Sequence, residues 1–148
     1  MDELIEAVIG RLQQLLHGRE VRLRLRNDIP EVSMDLVQVD QVLTNLIENA
    51  VKFSPANCPI DVSVFGSTRG VRVIVADYGP GIPKEQRERV FLPFERGNAD
   101  AAGTGLGLAI AKAVVVAHGG QMWAQSRPGG GAALTFELPI DGPPPRDD

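Results

Sequence analysis

A glycine-rich run at residues 103–108 could bind a phosphate group. It reads Gly103-Thr104-Gly105-Leu106-Gly107-Leu108 and leads directly into an apolar helical stretch, Ala109–Ala117. The first N–H groups of a helix have no partner inside the helix and lie at the positive end of its dipole, so the main chain alone can bind an anion there. Glycine permits the tight turn and close approach that such a site needs. The run therefore predicts a nucleotide site.

A polar stripe on a predicted helix is a second candidate. Residues from Asp35, a good N-cap, to about Phe53 have helical spacing. Five polar residues of this helix fall within about 100° of one another at 3.6 residues per turn: Gln41, Asn45, Glu48, Asn49 and Lys52. Such a stripe is often a plain solvated face, but asparagine has low helix propensity and is an unusual choice for one. The pattern alone leaves a solvated face and a binding face equally open.

A carboxylate at the end of a predicted buried strand is the third candidate. Val71–Ala76 is apolar at nearly every position, and Asp77-Tyr78-Gly79-Pro80-Gly81-Ile82-Pro83 follows it. The strand is expected to lie centrally in a sheet, and the glycines and prolines predict a rigid turn. By itself, the pattern favours an Asx turn that closes the strand.

Composition bounds what these residues could serve. The chain has 148 residues, of which 43% are hydrophobic and 23% charged, which predicts one globular domain over residues 1–140 and a disordered, Pro-rich tail over 141–148. A net charge of −4 gives no general attraction for nucleic acid. The single cysteine, Cys58, argues against disulfides and zinc and fits a cytoplasmic protein. No run approaches the roughly 20 apolar residues of a membrane helix.

Periodicity predicts the elements that position the candidate residues. Main helices are expected over residues 2–17, 35–53 and 109–117, and a short charged helix over Lys84–Val90. Strands are expected over residues 21–26, 60–65, 71–76, 121–126 and 132–138. The sum is an α+β fold, a two-layer sandwich in which a mixed, largely antiparallel sheet of about five strands carries three main helices on one face.

Four details of this prediction can be tested against a structure. Leu36 is expected in the buried stripe of the second main helix, and the third is expected to be covered around most of its circumference because Lys112 is its only charge. The three arginines of the first strand, Arg22, Arg24 and Arg26, are expected to form a solvated face, and residues 95–102 a mobile loop.

Taken together and in this order, these stretches closely resemble the ATP-binding catalytic domain of sensor histidine kinases, in the superfamily that includes gyrase-type topoisomerases, Hsp90 chaperones and MutL repair ATPases. The similar segments are Asn45–Phe53 for the N box, Asp77–Gly81 for the first glycine box, Phe91–Phe94 for the F box and Gly103–Leu108 for the second glycine box. The resemblance covers about residues 20–140 and implies a Bergerat-type fold. Residues 94–98, 118–120 and 127–131 are most similar to potassium-sensing Kdp-type kinases.

The resemblance implies roles for individual residues. Asn49 would hold Mg²⁺ through its side-chain oxygen, and Lys52 would neutralise phosphate charge. The Asp77 carboxylate can only accept hydrogen bonds, so it would accept one from the adenine 6-amino group and reject guanine. Glu48 could polarise an attacking nucleophile, or it could be an ordinary surface glutamate. Further implied contacts to ATP are Asn45, Gly79, Gly81, Phe94, Arg96, Asn98, Gly103, Thr104, Gly105, Leu106 and Gly107.

Asn45 bears on the reaction. In gyrase-type ATPases the position four before the magnesium asparagine carries a glutamate that activates water, whereas an amide cannot serve as a general base. The resemblance therefore implies a protein histidine kinase, in which this domain binds Mg-ATP and supplies the γ-phosphoryl group to a histidine. Two alternatives stay open: an ATP-driven conformational clamp of the gyrase, Hsp90 or MutL kind, and a non-catalytic nucleotide-sensing module.

The expected partners follow from the same resemblance. Neither His17 nor His118 lies in a phosphoacceptor box, so the acceptor is expected on a separate dimerisation and histidine phosphotransfer domain of the same full-length kinase. A response regulator would be an indirect partner. The isolated domain is expected to be a cytoplasmic monomer from a membrane-anchored sensor, without contact to nucleic acid or membrane of its own.

Overall fold

The alternating and helical patterns of the chain form one sheet with helices packed against it. The computed structural model describes residues 1–26, 28–93 and 106–141. The helices are α1 (Asp2–Arg11), α2 (Gln13–Leu16), α3 (Leu36–Phe53) and α4 (Gly107–Ala117), and the strands are β1 (Val21–Arg26), β2 (Ile60–Gly66), β3 (Gly70–Ala76), β4 (Gln121–Ser126) and β5 (Ala132–Pro139). Two short 3₁₀ helices, Lys84–Gln86 and Arg89–Phe91, lie between β3 and α4.

The sheet has five strands in the order β1-β2-β3-β5-β4. Strand β1 runs parallel to β2, whereas every other neighbouring pair is antiparallel. The apolar strand β3 is central, as predicted, and it ends at the residue before Asp77. The predicted α+β class and the mixed, largely antiparallel sheet are therefore confirmed.

The core lies between one face of the sheet and the helices. Along β2, Ile60, Val62 and Val64 are fully buried and alternate with partly exposed residues, as expected for a strand with one covered face. The buried apolar residues of α3 pack into the same cluster. We call the opposite side of the sheet, which carries Asp61, Ser63 and Phe65 of β2, the open face.

The buried stripe of α3 matches the prediction except at Leu36. This residue is 62% exposed, because it is the first residue of the helix and burial along α3 begins only at Val39.

The prediction that α4 is covered around most of its circumference was also wrong, since Ile110 is 45% and Val116 56% exposed. Of the α4 residues only Ala111 and Val115 are buried, so one side of this helix is covered and an apolar side faces solvent.

Two predicted helices are interrupted or replaced. The first main helix was expected to run over residues 2–17, but it breaks at Leu12, shortly after Gly10, a residue of low helix propensity. In place of the helix expected at Lys84–Val90 there is a pair of 3₁₀ turns. The first is closed by a hydrogen bond from the backbone N–H of Gln86 to the carbonyl oxygen of Pro83. A segment this short, following two prolines, cannot support a stable α-helix. Among the helices that the structure describes, none is long and apolar enough to cross a membrane.

Candidate functional site

Helix α3 carries the residues of the predicted N box. It begins where the Asp35 side chain accepts a hydrogen bond of 3.0 Å from the backbone N–H of Gln38, the cap expected from the sequence. It ends at Phe53, because Ser54 is extended and precedes a proline, which disfavours helical geometry at the residue before it. Both ends of the helix are therefore fixed by local sequence.

Asn45, in the middle of α3, is buried and contacts the start of α4. Its Nδ2 donates to the carbonyl oxygen of Gly107 at 2.9 Å, and its Oδ1 accepts from Nε2 of Gln41 at 2.7 Å. Gly107 is the first residue of α4 and Leu106 its N-cap. The side chain of Asn45 thus joins the N box to the end of the glycine run, and its role as a nucleotide contact stays a prediction.

The next polar residues of α3 are accessible. Asn49 is half-buried, and its carboxamide forms no hydrogen bond with any described residue. Lys52 and Glu48 are exposed, and Nζ of Lys52 lies 5.9 Å from the centroid of the Phe53 ring. Their polar groups are therefore free to meet a ligand, as far as the described residues go.

Asp77 is a buried carboxylate held in one orientation. Its Oδ1 accepts from the backbone N–H groups of Gly79, at 2.8 Å, and Ala132, at 3.2 Å. The bond to Gly79 is the Asx turn favoured by the sequence. No described residue donates to Oδ2, which leaves that oxygen available to accept from a ligand.

The turn that follows Asp77 packs against the end of α3. The backbone N–H of Tyr78 donates to Oγ of Ser54 at 3.4 Å. A Cβ at Gly79 would overlap the carbonyl oxygen of Phe53, so glycine is what allows this close approach. Since Asn49 lies one helical turn before Phe53, the structure brings the N box and the Asp77 turn together.

A third segment, which sequence reasoning did not assign to the site, closes the other side of Asp77. The turn between β4 and β5 ends at Gly131, where φ is 106° and a Cβ would overlap the carbonyl oxygen of Asp77. The signal in the sequence was the run Gly129-Gly130-Gly131. Its contact with Asp77 depends on the pairing of β3 with β5, in which Ala76 lies opposite Ala133.

Four side chains of the open face gather behind the Asp77 turn; we call them the open-face cluster. They are Arg22, Asp61, Tyr78 and Arg127. Asp61 accepts from Nε of Arg22 at 2.7 Å and from the hydroxyl of Tyr78 at 2.9 Å, and Arg22 also donates to the Tyr78 hydroxyl. The guanidinium of Arg127 lies over the Tyr78 ring, 3.7 Å from its centroid. The prediction that Arg22 is simply solvated was therefore wrong.

The cluster sets the charge state of Asp61. Burial raises the pKa of Asp61, but the hydrogen bonds from Arg22 and Tyr78 and the positive charges of Arg22 and Arg127 outweigh it, so the net pKa lies below its ordinary value. The guanidinium of Arg22 has its pKa raised by the hydrogen bond to Asp61. Both groups are thus charged near neutral pH, and the ion pair between them persists there.

The structure does not describe every predicted site residue. Phe94, Arg96, Asn98, Gly103, Thr104 and Gly105 lie outside the described residues, as do the predicted mobile loop over 95–102 and the tail over 142–148. Gly81, by contrast, is described, with φ of 83° and the carbonyl oxygen of Gly131 3.2 Å from where a Cβ would stand.

Comparison with known proteins identifies the family of this fold and site. The model of the histidine kinase-, DNA gyrase B- and HSP90-like ATPases matches residues 34–142, and the chain belongs to this family. It is 39% identical over 141 residues to the adaptive-response sensory kinase SasA of Synechococcus sp. (strain CC9311). The aligned residues cover 91% of this chain and 37% of the relative. The chain thus spans little more than a third of that protein's length.

Solved structures point to the histidine kinase branch. The mycobacterial sensor histidine kinase MprB is 30% identical with a TM-score of 0.83, over 98% of this chain and 96% of that chain. Full-length ShkA in complex with AMPPNP is also 30% identical, with a TM-score of 0.82, over 95% of this chain and 30% of that chain. The predicted histidine kinase resemblance and fold are confirmed, whereas the Kdp-type likeness stays a prediction.

Proposed function

We propose that this domain binds Mg-ATP between α3 and the Asp77 turn and supplies the γ-phosphoryl group to a histidine elsewhere in its full-length kinase. The observation that carries the proposal is the buried carboxylate of Asp77, whose Oδ1 is held by two backbone N–H groups while Oδ2 accepts no bond from the described residues. An oriented acceptor of this kind selects a base with an amino group at position 6, where adenine has one and guanine has a carbonyl. Membership of an ATPase family supports the same nucleotide.

The residues of α3 suit the phosphate end of the nucleotide. Asn49 offers a side-chain oxygen, a hard ligand of the type that Mg²⁺ prefers, and the described residues leave that oxygen unbonded. Bound there, Mg²⁺ would neutralise charge on the phosphate oxygens. Lys52, exposed one turn further along, would add a positive charge, and Glu48 could polarise the attacking nucleophile.

The reaction needs positioning more than covalent chemistry from this chain. A histidine nitrogen of the acceptor attacks the γ-phosphorus, an N–P bond forms, and the bond to the bridging oxygen breaks, so ADP leaves with the electron pair. Asp77 orients the adenosine end, and Lys52 neutralises charge at the phosphate end. Asn45 carries no carboxylate that could activate water, and its amide is engaged by Gln41 and Gly107, which favours transfer over hydrolysis.

The environment of His118 supports an acceptor outside this chain. His118 is buried; its Nε2 accepts from the backbone N–H of Asp35 at 3.0 Å, and its Nδ1 lies 2.9 Å from the carbonyl oxygen of Val114. Neither ring nitrogen is available for phosphorylation unless these hydrogen bonds are broken. We infer that the acceptor lies on the dimerisation and phosphotransfer domain of the full-length kinase, and that a response regulator then receives the phosphoryl group.

Labelled Mg-ATP and the cognate acceptor domain test the proposal. Mixed with this chain, the acceptor should gain a phosphoryl label that is lost in acid and stable in base, as expected for an N–P bond. The Asp77→Asn variant should transfer far less at the same ATP concentration. ATP binding without transfer to the cognate acceptor would instead favour a nucleotide-sensing module, and label released as free phosphate an ATP-driven clamp.

A further inference from the structure

The open-face cluster lies at the same end of the sheet as the nucleotide turn. Asp61 stands opposite Ala76, the residue before Asp77, and Arg22 stands opposite Asp61 on the neighbouring strand. The cluster therefore lies beside the residue that precedes Asp77, on the face of the sheet away from the helices. It takes no part in the proposed binding of ATP, which lies on the helix side.

Tyr78 links the two sides. Its main chain lies between Asp77 and Gly79, and its N–H is bonded to Ser54 at the end of α3. Its side chain points into the cluster, where the hydroxyl donates to Asp61 at 2.9 Å. The position of this one ring therefore constrains the backbone on which the Asp77 carboxylate is oriented.

Arg127 connects the cluster with the opposite wall of Asp77. Its guanidinium lies over the Tyr78 ring, and Nη1 donates to the carbonyl oxygen of Gly130 at 3.2 Å. Its backbone N–H donates to the carbonyl oxygen of Gly131. Gly131 in turn packs against the carbonyl oxygen of Asp77. The cluster thus touches both segments that enclose Asp77: the turn that follows it and the turn between β4 and β5.

We propose that Tyr78, held by Asp61 and Arg127, is a positioning residue for Asp77 and thereby sets the affinity and selectivity of the domain for adenine nucleotides. Asp61 and Arg127 act through Tyr78 and touch no nucleotide. The proposal rests on the function proposed above, because it needs Asp77 to meet the base.

The open face supplies a matched control. Arg72 and Glu137 form an ion pair on the same face, and Arg72 lies 5.3 Å from the Trp123 ring centroid, much as the cluster arginines lie near Tyr78. This pair stands four residues along β3 from Ala76, roughly 13 Å at the usual rise of a strand. Glu137→Gln therefore removes a comparable ion pair far from Asp77.

The experiment compares Tyr78→Phe, Asp61→Asn and Glu137→Gln with the unchanged 148-residue chain. Tyr78→Phe keeps the ring under Arg127 and removes only the hydroxyl, and Asp61→Asn removes the charge at almost constant volume. Dissociation constants are measured by calorimetry for ATP and GTP, and thermal unfolding is followed for each variant. If the residues have only a structural role, the substitutions should change the unfolding midpoint alone. The ratio of the ATP and GTP dissociation constants, by contrast, reports on the orientation of Asp77.

Weakened hydrogen bonding within the open-face cluster should reduce ATP affinity about three- to tenfold in both Tyr78→Phe and Asp61→Asn. The preference for ATP over GTP should fall with it, and Glu137→Gln should change neither quantity. Unchanged ATP affinity and selectivity in folded Asp61→Asn and Tyr78→Phe would overturn the proposal, as would an equal loss in Glu137→Gln. An unchanged chain that binds no ATP would overturn the proposed function, and this inference with it.

Discussion

The side-chain amide of Asn45 donates a 2.9 Å hydrogen bond to the carbonyl oxygen of Gly107, which joins the middle of α3 to the first residue of α4. This bond fixes the end of the glycine run to the helix that carries Asn49 and Lys52. Because Asn45 is buried and also accepts from Gln41, it acts as a structural link between two parts of the site.

Asn45→Ala should destabilise the domain by about 1–3 kcal/mol, because it leaves the Gly107 carbonyl and the Gln41 amide without this partner. Denaturant unfolding measures the change. The control is Glu6→Ala on the exposed side of α1, for which a change within about 0.5 kcal/mol is expected. Equal stabilities of the two variants would contradict the structural role.

Asp77→Asn should weaken ATP binding by roughly 5- to 150-fold, since an amide donor would face the adenine amino group, at a cost of about 1–3 kcal/mol. The fold should survive, because the asparagine oxygen can still accept from Gly79 and Ala132 as Oδ1 does. Calorimetric titration with ATP, together with a thermal unfolding curve, separates the two effects. An unchanged dissociation constant would remove Asp77 from the binding site.

Asn49→Ala should remove most of the dependence of ATP binding on Mg²⁺, because the variant lacks the proposed oxygen ligand. The measurement is the ratio of ATP dissociation constants with Mg²⁺ and with a chelator, which should approach one. Asn57→Ala, an exposed asparagine after the end of α3, serves as the control and should keep the ratio of the unchanged chain. If the Asn49 variant keeps it too, the metal ligand is another residue.

Gly79→Ala should destabilise the domain by about 1–3 kcal/mol, the usual cost of overpacking. A Cβ there would overlap the carbonyl oxygen of Phe53, which is main chain and cannot move aside as a side chain would. Gly10→Ala is the opposite case, because nothing lies within 4 Å of its Cβ position. This change in α1 should stabilise by about 0.8–1 kcal/mol through helix propensity. Unfolding of both variants in denaturant gives the two signs.

Acid should destabilise the domain through two carboxylates. The hydrogen bond from Arg11 lowers the pKa of Asp40, and the open-face cluster lowers that of Asp61 against the effect of burial. A depressed folded pKa contributes stability that is present above the unfolded value of about 3.9. That stability is lost as the pH falls through the folded value.

Unfolding measured between pH 6 and pH 2 should therefore show stability declining below about pH 4. Asp40→Asn and Asp61→Asn should each be less stable than the unchanged chain near neutral pH and show a shallower decline in acid. Parallel pH profiles for all three proteins would mean that neither ion pair contributes to stability.

The parts of this fold that sequence predicts are those governed by local rules. Helix α3 was predicted from its cap at Asp35 to its end at Phe53, because capping, periodicity and a following proline act within a few residues. The central position of β3 followed from its continuous apolar sequence. The motif order predicted that the end of α3 and the turn after Asp77 lie together, and Gly79 does pack against Phe53.

The parts that sequence did not predict depend on contacts between distant segments. Arg22 and Asp61 are 39 residues apart, and their ion pair exists only because β1 and β2 pair in parallel with one particular register. The exposed apolar side of α4 was missed for a similar reason, since its composition does not say how many of its sides meet a neighbour. The same holds for Gly131, whose contact with Asp77 arises from the pairing of β3 with β5.

The turn between β4 and β5 has a consequence for how this family tolerates sequence change. Gly129, Gly130 and Gly131 have φ values of 90°, 112° and 106°, which other residues rarely adopt. A complete substitution survey should therefore find intolerant positions there, although these glycines are not among the residues proposed to contact ATP. Positions at which substitution weakens ATP binding would therefore include residues outside the proposed ATP contacts. A substitution in this turn would change the affinity without altering any residue proposed to contact ATP.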